Sequence, residues 1–282
     1  MQKFLTWILV GFFLIFFATS PSLAKKHSKK QVKKQRTSKK TSISEKRVRE
    51  PKTVVEKLVA KMVKTMGGRK NLLSVRSTYS IGHTKIITAL GEQSGKIISY
   101  FLKPAQQRTE IQIGHTTIIQ TINKLGGWMQ QGTSIISLPR SMIEMSNAEL
   151  AHLDLEIRFL TEDIKVRQLG QRRIRGKECS VVSFTDKKKR KTLYYISQKN
   201  HRLIKSSYLA PSPLGQKKTR YSTYASKYRW VYFPNKKDKI LIPFFIEKFM
   251  GGRKVGSISL KKVFINSPKV TKQLFKIPSP VD

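Results

Sequence analysis

From Thr53 the chain follows one pattern for about fourteen residues and another for most of the remainder. Val54, Val55, Leu58, Val59, Met62, Val63 and Met66 recur at helical spacing and form one apolar stripe. Thr53 and Glu56 have the spacing of a capping box, in which hydroxyl and carboxylate each satisfy an orphan amide. Gly67 and Gly68 supply the left-handed exit that ends a helix. The spacing therefore predicts a helix over 53–66, lying on something apolar.

From Ser77 onward, short alternating runs recur between turn signals. They include "STYSIGHTKIITAL", "GKIISYFLK", "QRTEIQIG", "TTIIQTINK" and "GGWMQQG", then "ECSVVSFTD", "KTLYYISQ", "HRLIKSSYLA", "KTRYSTYASKYRWVYF", "KILIPFFIEKFMGG" and "VGSISLKKVFIN". Gly91, Gly114, Gly126-Gly127, Asp186-Lys187, Gly215, Pro234-Asn235 and Gly251-Gly252 mark the turns. Strands joined by such short turns predict an antiparallel meander rather than βαβ units. A sheet this long manages its edges by curling into a barrel or half-barrel. The interruption, "LPRSMIEMSNAELAHLDLEIRFLTEDIKV", carries a second capping-box spacing at Ser146 and Glu149. Leu150, Leu153, Ile157 and Leu160 follow at near-helical spacing. It predicts one or two short helices between two halves of the sheet. The fold class is α+β, mostly antiparallel β: an open half-barrel whose concave surface is plugged by helices.

The N-terminus changes the picture. A basic start, an apolar run from Phe4 to Ala18 and the small-residue site Ser22-Leu23-Ala24 have the layout of a secretory signal peptide cleaved after Ala24. The apolar run is shorter than the roughly 20 residues of a spanning helix. The density of Lys and Arg from Lys25 to Lys40 works against translocation, so an uncleaved inner-membrane anchor is the other reading. Residues 25–50 have few apolar positions and are expected to be disordered. Residues 51–282 form the folded domain.

Charge follows. Lys and Arg number 57 against 16 Asp and Glu, a formal net charge of +41. Such a chain is drawn to anionic surfaces. The Lys25–Lys40 tail is suited to an anionic membrane surface, and a solvated linker is the alternative. Nucleic acid is electrostatically equivalent but is excluded as a partner if the chain is exported.

Candidate chemistry is sparse. Cys179 is the one cysteine, so no internal disulfide and no cysteine-based metal site can form. In "KECSVVSF" it reads as a small buried hydrophobe. His27, His83, His115, His152 and His201 have no metal-site spacing. Gly-x-Ser-x-Gly, Walker and GxGxxG patterns are missing from the sequence. The carboxylate pairs Asp154/Glu156 and Glu162/Asp163 read as a solvated helix face, and "DKKKRK" as a charged hairpin tip. No enzyme and no cofactor is expected.

In this order and spacing, "MGGRKNLLSVRS", "YFLKPAQQRTEI", "NKLGGWMQQG", "GQRRIRGKECSVVSF", "TLYYISQKNHRLIKSSY" and the closing "ILIPFFIEKFMGGRKVGSISLKKVFINSPKVTKQLFKIP" resemble the LolA/LolB-like superfamily of bacterial envelope proteins. The likeness is strongest to its outer-membrane lipoprotein-sorting members and covers roughly Thr53 to Pro278. It implies an open antiparallel β-barrel with a helical lid over an apolar cavity, binding lipid or lipoprotein acyl chains in the periplasm, as a monomer. The basic tail is not a feature of that family, and the acceptor's lipidated cysteine is missing. An acyl-binding groove needs no motif, since each buried CH₂ contributes about 0.8 kcal/mol. Trp128 is the preferred lining residue, for its wide apolar face and single donor. Tyr100, Ile119, Leu138, Met142 and Phe249 are further candidates. Trp230 and Tyr232 read either as a lipid-facing edge or as cross-strand packing. Two functions stay open: a periplasmic lipid carrier or sensor, and a basic module held electrostatically on the envelope.

Overall fold

The computed structural model describes residues 53–277, except residues 90, 124, 153, 154, 156, 157, 160, 161, 163 and 213–217. The apolar run, the small-residue site and the polybasic tail lie outside the described residues, as do Leu153, Asp154, Glu156, Ile157, Leu160 and Asp163. Helix α1 (Val54–Thr65) opens with the expected box: Thr53 Oγ1 accepts from the Glu56 amide at 3.3 Å, and Glu56 Oε2 accepts from the Thr53 amide at 3.0 Å. It ends at the double glycine, where Gly67 has φ +118°. A Cβ there would lie 2.6 Å from the Lys239 carbonyl, so both conformation and space demand glycine. The chain does not pass straight into the sheet. A short helix α2 (Gly68–Ser74) follows, and the glycines form an elbow between two helices.

Thirteen strands form one antiparallel sheet. In chain order they are β1 (Ser77–Thr88), β2 (Gly91–Leu102), β3 (Gln106–Ile113), β4 (Thr116–Asn123), β5 (Gly126–Gln131) and β6 (Ser134–Ser137), then, after helix α3 (Arg140–His152), β7 (Lys165–Ile174), β8 (Lys177–Thr185), β9 (Lys191–Ser197), β10 (Leu203–Pro211), β11 (Lys218–Tyr232), β12 (Lys239–Met250) and β13 (Arg253–Ile265). The spatial order is β6-β5-β4-β3-β2-β1-β13-β12-β11-β10-β9-β8-β7. Two meanders are therefore joined by one seam, β1 against β13, with Tyr79 opposite Phe264 and Thr84 opposite Ile258. The sheet is curled and unclosed, which is the expected half-barrel.

This order has a topological consequence. Strands β6 and β7 are the two outer edges, yet they are consecutive in sequence. Flat, a sheet of this width would part its edges by about 58 Å. The segment containing α3 must run from one edge to the other, so curling of the sheet and a helical lid across one face go together.

Strand alternation separates two faces. The helix face carries Ile118, Ile122 and Met129 under α3, Ile86, Ile97 and Ile111 beside it, and Val182, Phe184, Tyr194 and Ile196 under α1. Val231, Ile240 and Phe244 pack with Val63 and Leu72 of α1 and α2. On the back face, the Asn123 side chain donates to the Phe275 carbonyl at 2.8 Å and Arg108 donates to the Leu274 carbonyl at 3.3 Å. The closing 3-10 turn (Lys272–Phe275) is thus strapped across β3 and β4.

One expectation needs correction, and two strands are added. The Ser146/Glu149 spacing is not a helix start: α3 begins at Arg140, and Ser146 is buried within it. Pro139 ends the preceding extended chain, and its carbonyl accepts the Met142 amide at 3.0 Å. Strands β6 and β7 are additional to the eleven runs. Both are edges, and β7 is exposed along nearly all its length, so no apolar alternation announces it.

Candidate functional site

A narrow cleft lies where α3 crosses the seam. Met145 and Glu149 form its roof. Thr84 and Ile86 of β1, Tyr208 of β10, Tyr221 of β11, Lys248 of β12 and Ile258 of β13 form its floor and walls. Its free space is about 80 Å³. Pockets that bury a drug-sized ligand run to about 300–1,000 Å³. In this arrangement the cleft is shut.

Two contacts hold it shut. Lys248 Nζ donates to Glu149 Oε1 at 2.6 Å, tying α3 to β12. Tyr221 Oη lies 3.3 Å from Met145 Sδ while donating to the Pro211 carbonyl at 3.2 Å. Tyr208 stacks on Tyr221 with centroids 5.6 Å apart. Burial, aided by the nearby Glu149 carboxylate, pushes the Tyr221 hydroxyl up to about 12. The same two causes, with Tyr221 added, push Tyr208 well above the ordinary tyrosine value. Both phenols therefore stay neutral and present an apolar ring with one polar tip.

The proposed lining residues divide between the faces. Leu138 and Met142 come together with Ile118, Ile122, Met129 and Leu150 under α3. A Cβ on Gly127 would lie 2.8 Å from Leu138 Cδ1, so glycine lets the chain entering α3 settle on β5. Phe249 borders the cleft and meets Tyr224 edge-on, centroids 5.1 Å apart. Trp128, Tyr100 and Ile119 lie on the back face, and the reason is register. Met129, next to Trp128, is in the cluster under α3, and Trp128 pairs with Thr121, which alternates with Ile122. Trp128 is buried on the side of the C-terminal strap, and its Nε1 has no partner among the described residues. Ile119 alternates with Ile118, and Tyr100 pairs with Tyr79 and stacks on it at 5.1 Å.

Sequence reading missed Met145, Glu149, Lys248, Tyr208 and Tyr221. Glu149 was read as a cap because its spacing from Ser146 suits one. No spacing links it to Lys248, 99 positions away. Cys179 is fully buried, as expected of a small hydrophobe, and burial raises its thiol pKa. Glu162 pairs with Arg158 at 2.8 Å. Asp186 accepts from the amides of Lys188 and Arg190, closing the charged β8–β9 tip. Among the described residues, no three His, Cys, Asp or Glu converge to hold a metal ion, and no helix is long and apolar enough to cross a membrane.

No family model matches the sequence, and no curated protein matches it. Solved structures do. A LolA superfamily protein from Nitrosomonas europaea superimposes over 80% of this chain and 99% of its own, with a TM-score of 0.51 at 11% identity. A DUF1329 family protein from Desulfovibrio piger covers 79% of this chain and 99% of its own, with a TM-score of 0.49 at 11% identity. An outer membrane lipoprotein-sorting protein domain from Vibrio parahaemolyticus covers 78% and 94%, with a TM-score of 0.46 at 10% identity. The fold is LolA-like: an open antiparallel half-barrel with helices across one face.

Proposed function

We propose that this protein is a periplasmic lipid- or lipoprotein-binding carrier or sensor. It would take acyl chains between α3 and the seam, in outer-membrane lipoprotein sorting or envelope maintenance. The observation that carries the reading is the LolA-like half-barrel with a shut cleft beneath α3, walled by Met145, Tyr208, Tyr221 and Ile258. At about 80 Å³ the cleft admits no acyl chain, so binding requires α3 to lift from the sheet. Methionines suit that role, since their flexible thioethers repack around different shapes. Met142, Met145 and Met129 lie there, and Leu138 and Leu150 complete an apolar surface that would line the widened space.

One chain of about 14 carbons gains roughly 10 kcal/mol on burial before the cost of displacing the helix. Baring Leu138, Met142, Met145 and Leu150 would cost about 1.5–3 kcal/mol each, so the gain carries the opening only if the bound chain covers these side chains again. Export by the N-terminal segment and contact of the Lys25–Lys40 tail with an anionic membrane complete the proposal. The chain is expected to act as a monomer.

The test is mass spectrometry of an organic extract of the purified protein, paired with titration of a fluorescent fatty acid. Stoichiometric phospholipid or lipoprotein acyl chains support the carrier. An empty protein that takes up no probe overturns it.

A further inference from the structure

The β11–β12 turn concentrates cations and exposed aromatic rings. From Lys227 to Lys239 the chain holds five Lys or Arg (Lys227, Arg229, Lys236, Lys237 and Lys239) against one carboxylate, Asp238. That carboxylate is engaged inside the turn, where Asp238 Oδ2 accepts from the Asn235 side chain at 2.8 Å. Asn235 Oδ1 in turn accepts from the amides of Lys237 and Asp238 at 3.1 and 3.3 Å. The tip is therefore braced, with Lys236 and Lys237 exposed. Beside it, Trp230 is 44% and Tyr232 53% exposed, two residues apart on one strand and so on one face. Tyr232 stands directly opposite Lys239 in the ladder. The Lys239 ammonium lies 4.9 Å from the Trp230 ring centroid and 5.6 Å from that of Tyr232.

We propose that this hairpin end is a docking surface of the folded domain for an anionic phospholipid bilayer, separate from the basic tail. Trp and Tyr rings are at home at the level of lipid headgroups, with apolar bodies in the boundary and polar tips in water. Lysine stems lie along apolar surface while their ammonium groups reach phosphate. Both elements occur here side by side on a braced turn, and the net charge of the turn is complementary to an anionic leaflet. A single-stranded polyanion would need ring faces for stacking. One face of each ring already carries the Lys239 ammonium, which favours the bilayer.

The assignment does not rest on the acyl-chain reading, because vesicle binding and acyl-chain uptake are measured separately. The full chain is sedimented with vesicles containing about one-third phosphatidylglycerol in phosphatidylcholine, and with neutral phosphatidylcholine vesicles, at low and high salt. The tail is present in every variant. Lys236→Ala/Lys237→Ala is expected to weaken binding to the anionic vesicles about 25-fold, at about fivefold per cation, and to leave binding to neutral vesicles unchanged. Trp230→Phe is expected to abolish the part of the quenching by brominated lipid that Trp230 contributes, with buried Trp128 still present as an internal reference. Vesicle binding and quenching equal to wild type in both variants, with far-ultraviolet circular dichroism confirming the fold, overturn the proposal. An equal loss of binding to a soluble polyanion such as heparin, with no Trp230-dependent quenching by lipid, also overturns it.

Discussion

The two helical lids cover the same sheet on different terms. Helices α1 and α2 are built into the wall. Val59 and Met62 have no exposed surface, the Leu241 amide donates to the Met66 carbonyl at 3.0 Å, and Asn71 donates to the Lys239 carbonyl at 3.1 Å. Here the helix pair completes the ladder of β12, whose first residues have no β13 partner. Helix α3 rests on its strands through Met142 and Leu150, with Met145 against the Tyr221 hydroxyl, and the Glu149–Lys248 ion pair ties it to β12. One lid is structural and the other is seated on soft side chains. If the groove opens, the contrast predicts that it does so under α3 rather than under α1 and α2.

Variants can break or sharpen that contrast, and the largest effect belongs to the fixed lid. Met62→Ala is expected to lower unfolding free energy by about 2–5 kcal/mol in urea. Met142→Ala, also buried, is expected to speed hydrogen exchange in α3 selectively and to raise fatty-acid uptake. If both variants merely shift the global midpoint, the two lids are equivalent. Gly67→Ala comes next, since it adds a forbidden φ to a 2.6 Å approach to the Lys239 carbonyl. It is expected to cost about 1–3 kcal/mol, read as a lowered Tm.

Glu149→Gln is expected to change stability by less than about 1 kcal/mol, because both partners are about 30% exposed. Probe affinity should nonetheless rise a few-fold, because the fastening acts only on the closed state. Unchanged affinity would remove the ion pair from the opening step.

The smallest effect is a pH dependence at the β8–β9 tip. Burial alone would raise the Asp186 carboxyl, but the Arg190 side chain and the amides of Arg190 and Lys188 outweigh it and hold it below the usual carboxylate range. A depressed folded value means that the stabilisation is present above the unfolded value of about 3.9 and is lost as pH falls through the folded one. The Tm advantage of wild type over Asp186→Asn should be full at pH 7 and vanish in that acidic window. An advantage that persists below it would locate the effect in the turn's shape rather than its charge.

The strongest signals in the sequence were periodic. The α1 stripe and its capping box, and the alternating runs of the wall, reported local geometry that the fold uses unchanged. What failed was information held between elements. Edge strand β7 is exposed along most of its length, with Val166 alone packed on the core beneath α1, so its residues need no alternation. The Ser146/Glu149 spacing copied a cap by coincidence inside a longer helix, while the true start depends on Pro139. A period of two assigns residues to alternate faces without saying which face the helices cover, so the sequence could not place Trp128 relative to them. The adjoining Met129 and Gly127 settle it only when Leu138 and Met142 are known to lie over them. The Glu149–Lys248 pair is a product of topology, and no local pattern announces it.

The seam between β1 and β13 also carries a kinetic consequence. Every other strand pairing in the sheet joins neighbours in the sequence, so each meander can form from local contacts. Among the strand pairings, the seam is the one that brings residues from opposite ends of the domain together, Thr78 with Ile265 among them. Loop-closure entropy falls on this one union, and contact order makes it the slow event in folding. Gly82, where a Cβ would sit 2.4 Å from the Ser259 carbonyl, lies at the point where the two halves must meet. Until that union is made, the chain is two sheets with four raw edges, and its exposure to self-association is set by how long it waits there.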